Sequence, residues 1–321
     1  MVLVTGKMFR PTDVAVNVPA SAVYVVEHFN HRISKWNYNP GDFDFTLDGS
    51  WGSNGDGTSG EAGPIGDGGP NDNSLDHPTG IALATVLYVA DTNHNRVRSL
   101  DIASGLWLNS FGKGGRGDED FYHPTGIESD GDNIVVADEL NHRAVLYDDN
   151  SGSFDFQKVI DDPATLGGTA KSFNRPHGVT FTSFDNSFYV TDTYHGVITQ
   201  YDVAFNVEAQ FGSPGTTGTN LFFPGSGCGI LTGNSSGIFA DTRNNILKTV
   251  ADTTIANTTG TIPGVNDGDL YYPESTVAFV DTANYVLAAN TLNNRIEIYA
   301  NEGGDAVLTN KSPFNFGSPL P

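Results

Sequence analysis

Cysteine is almost missing from this chain: Cys228 stands alone among 321 residues. A single thiol cannot close an intramolecular disulfide, and it cannot supply the paired cysteines of a C-x-x-C metal or redox motif. Its setting in an apolar stretch makes it a small hydrophobe rather than a nucleophile. Basic residues are scarce too. Lys and Arg total 16 against 38 Asp and Glu, for a net charge of −22. Such a chain repels phosphate backbones and anionic lipid, so no nucleic-acid partner is expected. Long apolar runs are absent. No segment approaches the ~18 consecutive apolar residues of a membrane span, so no membrane insertion is expected. The opening MVLVTGKMFRPTD has neither the charged n-region nor the apolar h-region of a signal peptide. No G-x-S-x-G elbow and no H-E-x-x-H pair occurs. Helical amphipathic periodicity is missing throughout.

Glycine, by contrast, is plentiful: 38 residues, well above the usual ~7%. Tight turns are therefore frequent, and they punctuate a repeat. Six segments open with a proline and run into an apolar stretch: RPTDVAV at Arg10, HPTGIAL at His77, HPTGIES at His123, RPHGVTF at Arg175, FPGSGCGIL at Phe223 and YPESTVAF at Tyr272. A second apolar stretch follows in each, VYVVE, LYVAD, IVVAD, FYVTD, GIFAD or YVLAAN, ending at Glu27, Asp91, Asp138, Asp192, Asp241 and Asn290. Five residues on, a third stretch begins at Arg32, Arg96, Arg143, Val197, Ile246 and Arg295. These stretches are short and rich in β-branched and aromatic residues, which predicts strands.

Four short antiparallel strands per unit, repeated six times, predict an all-β, six-bladed β-propeller. One four-stranded sheet cannot cover both of its apolar faces, whereas sheets stacked around an axis cover each other. The prediction is a single domain over residues 1–321, with blades opening near 10, 77, 123, 175, 223 and 272. The segment LVTGKMFRP resembles the end of a fourth strand plus a link, so the N-terminal strand is expected to complete the last blade, with DAVLTNK as competitor.

The second-to-third-strand turns read EHFNHRI, ADTNHNRV, ADELNHRA, TDTYHGVI, ADTRNNIL and ANTLNNRI. With the P-x-G-I/V openings and the Gly-rich segment GDGTSGEAGPIGDGGP, they resemble NHL repeats over nearly the whole chain. The blade at 223–250 departs most, with GSGCGI in its opening and no Arg. The resemblance implies the propeller fold. For function it implies several alternatives, because NHL propellers include protein-binding and RNA-binding modules, sensors and a zinc-dependent lyase.

Candidate sites follow from position. The repeated strand-end acids are expected to cap turns and pair with the Arg five residues on, not to form a metal array. Histidines 28, 31, 94, 142 and 195 lie in turns, and His77 and His123 precede prolines; structural roles are expected for all of them. His177 differs. It follows the blade-opening proline, where other blades carry Thr12, Thr79, Thr125 and Glu274. In a propeller this position rims the axial channel, so these five residues form the expected ligand-binding rim, with His177 the catalytic candidate. In the family's zinc lyase such positions supply histidines from several blades. A catalytic zinc wants about three protein ligands, and here only His177 and Glu274 are on offer. A second candidate is the long link from Gly52 to Asp76, where Asp56, Glu61, Asp67 and Asp72 offer oxygen ligands suited to calcium, though without EF-hand spacing. Aromatics near the prolines (Phe9, Tyr122, Phe173, Phe223, Tyr271, Tyr272) are expected to wedge between blades. Trp36, Trp51 and Trp107 are expected to pack in the core.

The leading expectation is non-enzymatic: a rigid disc, needing no cofactor, that presents loops to a protein or glycan partner. The acidic, lysine-poor composition suits an extracellular protein or a virion surface. The alternative is a metal-dependent lyase or hydrolase working in the channel with His177, with zinc or calcium as cofactor.

Overall fold

The computed structural model describes residues 8–40, 44–52, 74–149, 154–161, 172–183, 185–228, 236–251, 254–259, 269–280, 284–301 and 308–310. They form six four-stranded antiparallel sheets in a ring. Blade 1 holds β1 (Pro11–Asn17), β2 (Ala22–Glu27), β3 (Arg32–Tyr38) and β4 (Phe45–Trp51). Blade 2 holds β5 (Ile81–Leu83), β6 (Leu87–Asp91), β7 (Arg96–Asp101) and β8 (Leu106–Phe111). Blade 3 holds β9 (Pro124–Ser129), β10 (Asn133–Asp138), β11 (Arg143–Asp149) and β12 (Phe154–Ile160). Blade 4 holds β13 (Pro176–Thr182), β14 (Ser187–Asp192), β15 (Val197–Tyr201) and β16 (Val207–Phe211). Blade 5 holds β17 (Pro224–Cys228), β18 (Ser236–Asp241), β19 (Ile246–Ala251) and β20 (Thr254–Thr259). Blade 6 holds β21 (Pro273–Val280), β22 (Asn284–Asn290), β23 (Arg295–Asn301) and β24 (Leu308–Asn310). No helix among the described residues is long and apolar enough to cross a membrane.

The last blade is completed differently from the sequence expectation. Its fourth strand is β24, which pairs Asn310 with Tyr299, so the C-terminal segment takes that place. Residues 1–7 lie outside the described residues. The ring instead closes by side-to-side packing of whole blades. Met8, Val14 and Val25 of blade 1 share one core with Phe279, Leu287 and Ile298 of blade 6. Thr291 Oγ1 also donates to the Pro11 carbonyl at 2.7 Å. No strand needs to be shared, because a blade that supplies all four of its own strands leaves only faces to cover.

Those faces are covered by apolar side chains alternating along each strand. One inter-blade core joins Tyr88, Ala90 and Val97 of blade 2 to Ile127, Val136 and Tyr147 of blade 3. The wedge at each junction is not the expected set of aromatics. It is the residue three before each proline, Met8, Leu75, Phe121, Phe173, Leu221 or Leu270, and every one is at most 1% exposed. Of the expected wedges only Phe173 belongs to this set; Tyr122 and Tyr271 are 46% and 42% exposed. Trp36 is buried, with its Nε1 donating to Ser34 Oγ at 2.9 Å. Trp51 and Trp107 are half-buried, the latter beneath the Arg98 guanidinium at 4.1 Å.

Candidate functional site

In five of the six blades the strand registers put the proline of the inner strand beside the acid or amide that ends the second strand, as in Pro11 with Glu27 and Pro273 with Asn290. Blade entries and second-to-third-strand turns therefore share one face of the disc. The residue before each proline (Arg10, His77, His123, Arg175, Phe223, Tyr272) has φ between +49° and +64°. That left-handed backbone turns its N–H away from its own blade. Asn294 Oδ1 accepts it from Arg10 at 2.8 Å, Asn95 Oδ1 from His123 at 2.8 Å and Asn245 Oδ1 from Tyr272 at 2.7 Å. At two junctions a histidine replaces the asparagine: His31 Nδ1 accepts from His77 at 3.1 Å, and His142 Nδ1 from Arg175 at 3.2 Å.

The strand-end acids make a second set of ties. Asp91, Asp138, Asp192 and Asp241 each accept the N–H two residues before their own blade's proline, at 2.7 to 2.8 Å. The expected ion pair five residues on holds in blades 1 to 3: Arg32 with Glu27 at 3.0 Å, Arg96 with Asp91 at 2.6 Å and Arg143 with Asp138 at 2.8 Å. Blades 4 to 6 substitute other pairs: His195 with Asp192 at 2.7 Å, Lys248 with Asp241 at 2.8 Å, and Arg295 with Glu297.

The position after the proline divides the ring likewise. Thr12, Thr79 and Thr125 are buried, with their hydroxyls engaged in fastening. Thr12 Oγ1 donates to the Thr79 carbonyl at 2.9 Å, Thr79 Oγ1 accepts from Thr92 at 2.7 Å, and Thr125 Oγ1 donates to the His177 carbonyl at 2.8 Å. In blades 4 to 6 this position holds His177, Gly225 and Glu274, and all three line one pocket of about 190 Å³ at the axial mouth. Glu139, Thr193, Tyr194, Phe223, Thr242 and Arg243 complete most of its wall. Gly225 is required there, since a Cβ would come within 2.2 Å of the Glu274 carbonyl. Of the five expected rim residues, the structure thus brings together His177 and Glu274 and gives the three threonines to blade fastening.

The pocket is chemically varied. Two of its lining residues carry buried polar atoms with no hydrogen-bond partner, His177 Nδ1 and Thr242 Oγ1. Thr242 stands at the place from which Thr193 and Thr291 donate to the proline carbonyl of the next blade, at 2.9 and 2.7 Å. Burial holds the His177 imidazole below its ordinary pKa, against an upward pull from Glu139, so the ring is neutral near neutral pH. Burial pushes the Glu274 carboxyl up to about 8, aided by the charges of Asp13 and Glu139 and opposed by Arg10. For Glu139 burial acts upward too, but the His123 hydrogen bond at 2.8 Å, the His177 ring whenever it takes a proton, and the nearby His123 and Arg175 charges hold it below the usual range. On the rim, Arg243 stacks on Phe223 at 3.8 Å and Arg175 Nη1 donates to Tyr194 Oη at 2.9 Å. Inside the ring, Asp13 is raised by burial to about 6 while its Oδ2 accepts the Ile81 N–H at 2.9 Å, and burial raises Glu128 to about 8.

The calcium candidates Asp56, Asp67 and Asp72, with Glu61, lie outside the described residues. Among those described, three potential metal ligands converge at one place, His31, Asp76 and His77 at the junction of blades 1 and 2. His177 is not among them. Glu139, Tyr194, Thr242 and Arg243 escape a reading of the inner-strand repeat because they come from the turns of blades 3, 4 and 5. Their signal is positional: each follows a strand-end Asp by one or two residues, so it faces the axis beside the next blade's entry.

Fold and site together define a six-bladed β-propeller with a small polar pocket at one mouth of its axis. Solved structures agree on the fold. A streptogramin B lyase superposes with TM-score 0.59 at 13% identity, over 99% of this chain and 86% of its own. A protein of unknown function from Bacteroides thetaiotaomicron gives 0.64 at 12% identity, over 93% and 71%. An auxiliary nutrient binding protein from the same organism gives 0.63 at 12%, over 91% and 69%. No protein-family model matches the sequence, and no curated protein does.

Proposed function

We propose that this propeller is a binding scaffold that receives one compact polar group of a larger partner, a terminal sugar ring or a protein side chain, in its axial mouth. The observation that carries this reading is that His177, Thr242 and Glu274 converge on one pocket while the fold leaves His177 Nδ1 and Thr242 Oγ1 without partners. Buried polar atoms are ordinarily satisfied, so a ligand that supplies the missing bonds gains affinity. The pocket's about 190 Å³ is small against the roughly 300–1,000 Å³ of sites that enclose a drug-sized ligand. It suits a single ring or side chain, with Phe223 and Tyr194 offering aromatic faces and Arg243 and Glu274 offering polar ones. The acidic, lysine-poor composition supports a partner outside the cell, with the chain secreted or carried on a virion.

The test is to screen the intact chain on arrays of exterior glycans and of folded proteins, then titrate the best binder. Glu274→Gln and His177→Ala are expected to weaken binding at least tenfold with unfolding midpoints preserved. Unchanged affinity in both variants, or no binder on either array, rejects the axial mouth as the site.

A second reading rests on the same two groups. A neutral imidazole beside a carboxyl still protonated near pH 7 is a base and acid set for a lyase or hydrolase. Chemical turnover of the bound ligand, lost in both variants, would favour this over a scaffold.

A further inference from the structure

The junction of blades 1 and 2 carries chemistry that no other junction needs. Its clasp is the same backbone tie described above, made here by His31 Nδ1 and the His77 N–H. Three other junctions make that tie with Asn95, Asn245 or Asn294, so the fold does not require an imidazole at position 31. Nor does it require an acid at 76, where other blades have Phe9, Tyr122, Asn174, Phe222 and Tyr271. Yet His31, Asp76 and His77 each turn a ligand atom to one spot, all within 4.8 Å of one another and only half-buried. Asp76 Oδ1 lies 2.5 Å from His77 Nδ1 and 3.4 Å from His31 Nδ1.

We infer that His31, Asp76 and His77 form a divalent transition-metal site, best suited to zinc, with a fourth position open to water or to a ligand from a partner. Two imidazoles and one carboxylate are a zinc donor set, and ligands about 2.0–2.1 Å from a tetrahedral ion sit about 3.3 Å from each other. The His31 to Asp76 separation already matches this. The His77 to Asp76 contact is a hydrogen bond that opens by a little under an ångström when the ion replaces the shared proton. His31 Nδ1 acts as an acceptor, so its lone pair already points into the junction; an ion there takes that lone pair over from the His77 N–H. A third imidazole, His28, packs beside the site, with its ring 4.8 Å from that of His77 and its Nδ1 3.1 Å from the Pro78 carbonyl.

The site is separate from the axial mouth, and the experiment separates the two. The intact chain is stripped with chelator and titrated with Zn²⁺ by calorimetry, and with Co²⁺ for its visible absorption bands. One Zn²⁺ per chain at micromolar affinity or tighter is expected, together with Co²⁺ bands of nitrogen–oxygen coordination. His31→Asn restores the residue used at other junctions, so it preserves the clasp and the melting transition while weakening Zn²⁺ at least tenfold. His177→Ala leaves Zn²⁺ binding unchanged. Three results overturn the inference: no saturable Zn²⁺ binding, binding that survives His31→Asn intact, or binding lost in His177→Ala instead.

Discussion

The two halves of the ring follow the repeat unequally. Blades 1 to 3 keep it twice over, with a carboxylate–Arg pair at the end of the second strand and a buried threonine after the proline. Blades 4 to 6 break it in both places, with the pairs replaced by His195, Lys248 and Glu297 and the threonine by His177, Gly225 and Glu274. The pocket is lined mainly by the blades that break the pattern, with Glu139 added from blade 3. A repeat fold is stabilised by the same bonds made at every junction, so a residue that ceases to make them is available for something else. Half of the disc is frame, and the other half holds the pocket.

The largest expected difference lies in the strand-end pairs. Arg32 and Glu27 are both at most 1% exposed and bonded through two nitrogens. Arg32→Ala leaves a carboxylate buried beside an empty space, which costs about 3–5 kcal/mol. His195→Ala in blade 4 removes a partner whose side chain is 38% exposed, and the Asn174 N–H still holds Asp192. Its cost should stay at about 1 kcal/mol. Urea unfolding of the two variants compares them directly, and equal losses would erase the distinction between frame and pocket halves.

That distinction also explains what is legible in the sequence. The ends of the second strands and the starts of the third fall where the Asp and Arg columns put them, because backbone ties and ion pairs demand one residue type at one register. The wedge three before the proline leaves no pattern to read. Any apolar shape fills that space, so Met8, Leu75 and Phe121 share no letter and look like link residues. The sequence points to the N-terminus for the completing strand of blade 6, because a segment as short as Leu308–Asn310 carries little pattern. Of the site, His177 and Glu274 are visible as exceptions in a column of threonines. Glu139, Tyr194, Thr242 and Arg243 are not, since only the curvature of the ring brings turns of three blades to one mouth.

A smaller effect concerns pH. The folded Glu274 carboxyl keeps its proton up to about pH 8, against an ordinary value of 4.5. Between those values the folded chain holds a proton that the unfolded chain has released, so stability from this group is full below about pH 4.5 and falls as pH rises toward 8. Glu274 is only half-buried, so the loss should be about 1–3 kcal/mol rather than the full desolvation cost. Glu274→Gln carries no titrating group. Its unfolding free energy should fall less than the wild type's between pH 5 and pH 9, and parallel pH profiles for the two proteins would show that Glu274 is ordinarily ionised.

The smallest effect contrasts two neighbours on either side of the divide. Thr125 Oγ1 donates to the backbone carbonyl of His177, so one residue supplies the acceptor for a frame bond and the side chain of the pocket. Thr125→Val keeps the shape and deletes the donor, for a loss of about 1 kcal/mol. His177→Ala leaves that carbonyl in place. The backbone there is clamped independently of the imidazole, since a Cβ on Gly126 would come within 2.5 Å of the same carbonyl. The substitution also removes an unpartnered buried nitrogen, which offsets the packing lost with the ring. Thermal unfolding should therefore register Thr125→Val and barely register His177→Ala, while the binding assay should register them in the reverse order. If His177→Ala proves the more damaging to stability, the imidazole belongs to the frame, and the pocket loses its main claim to a ligand.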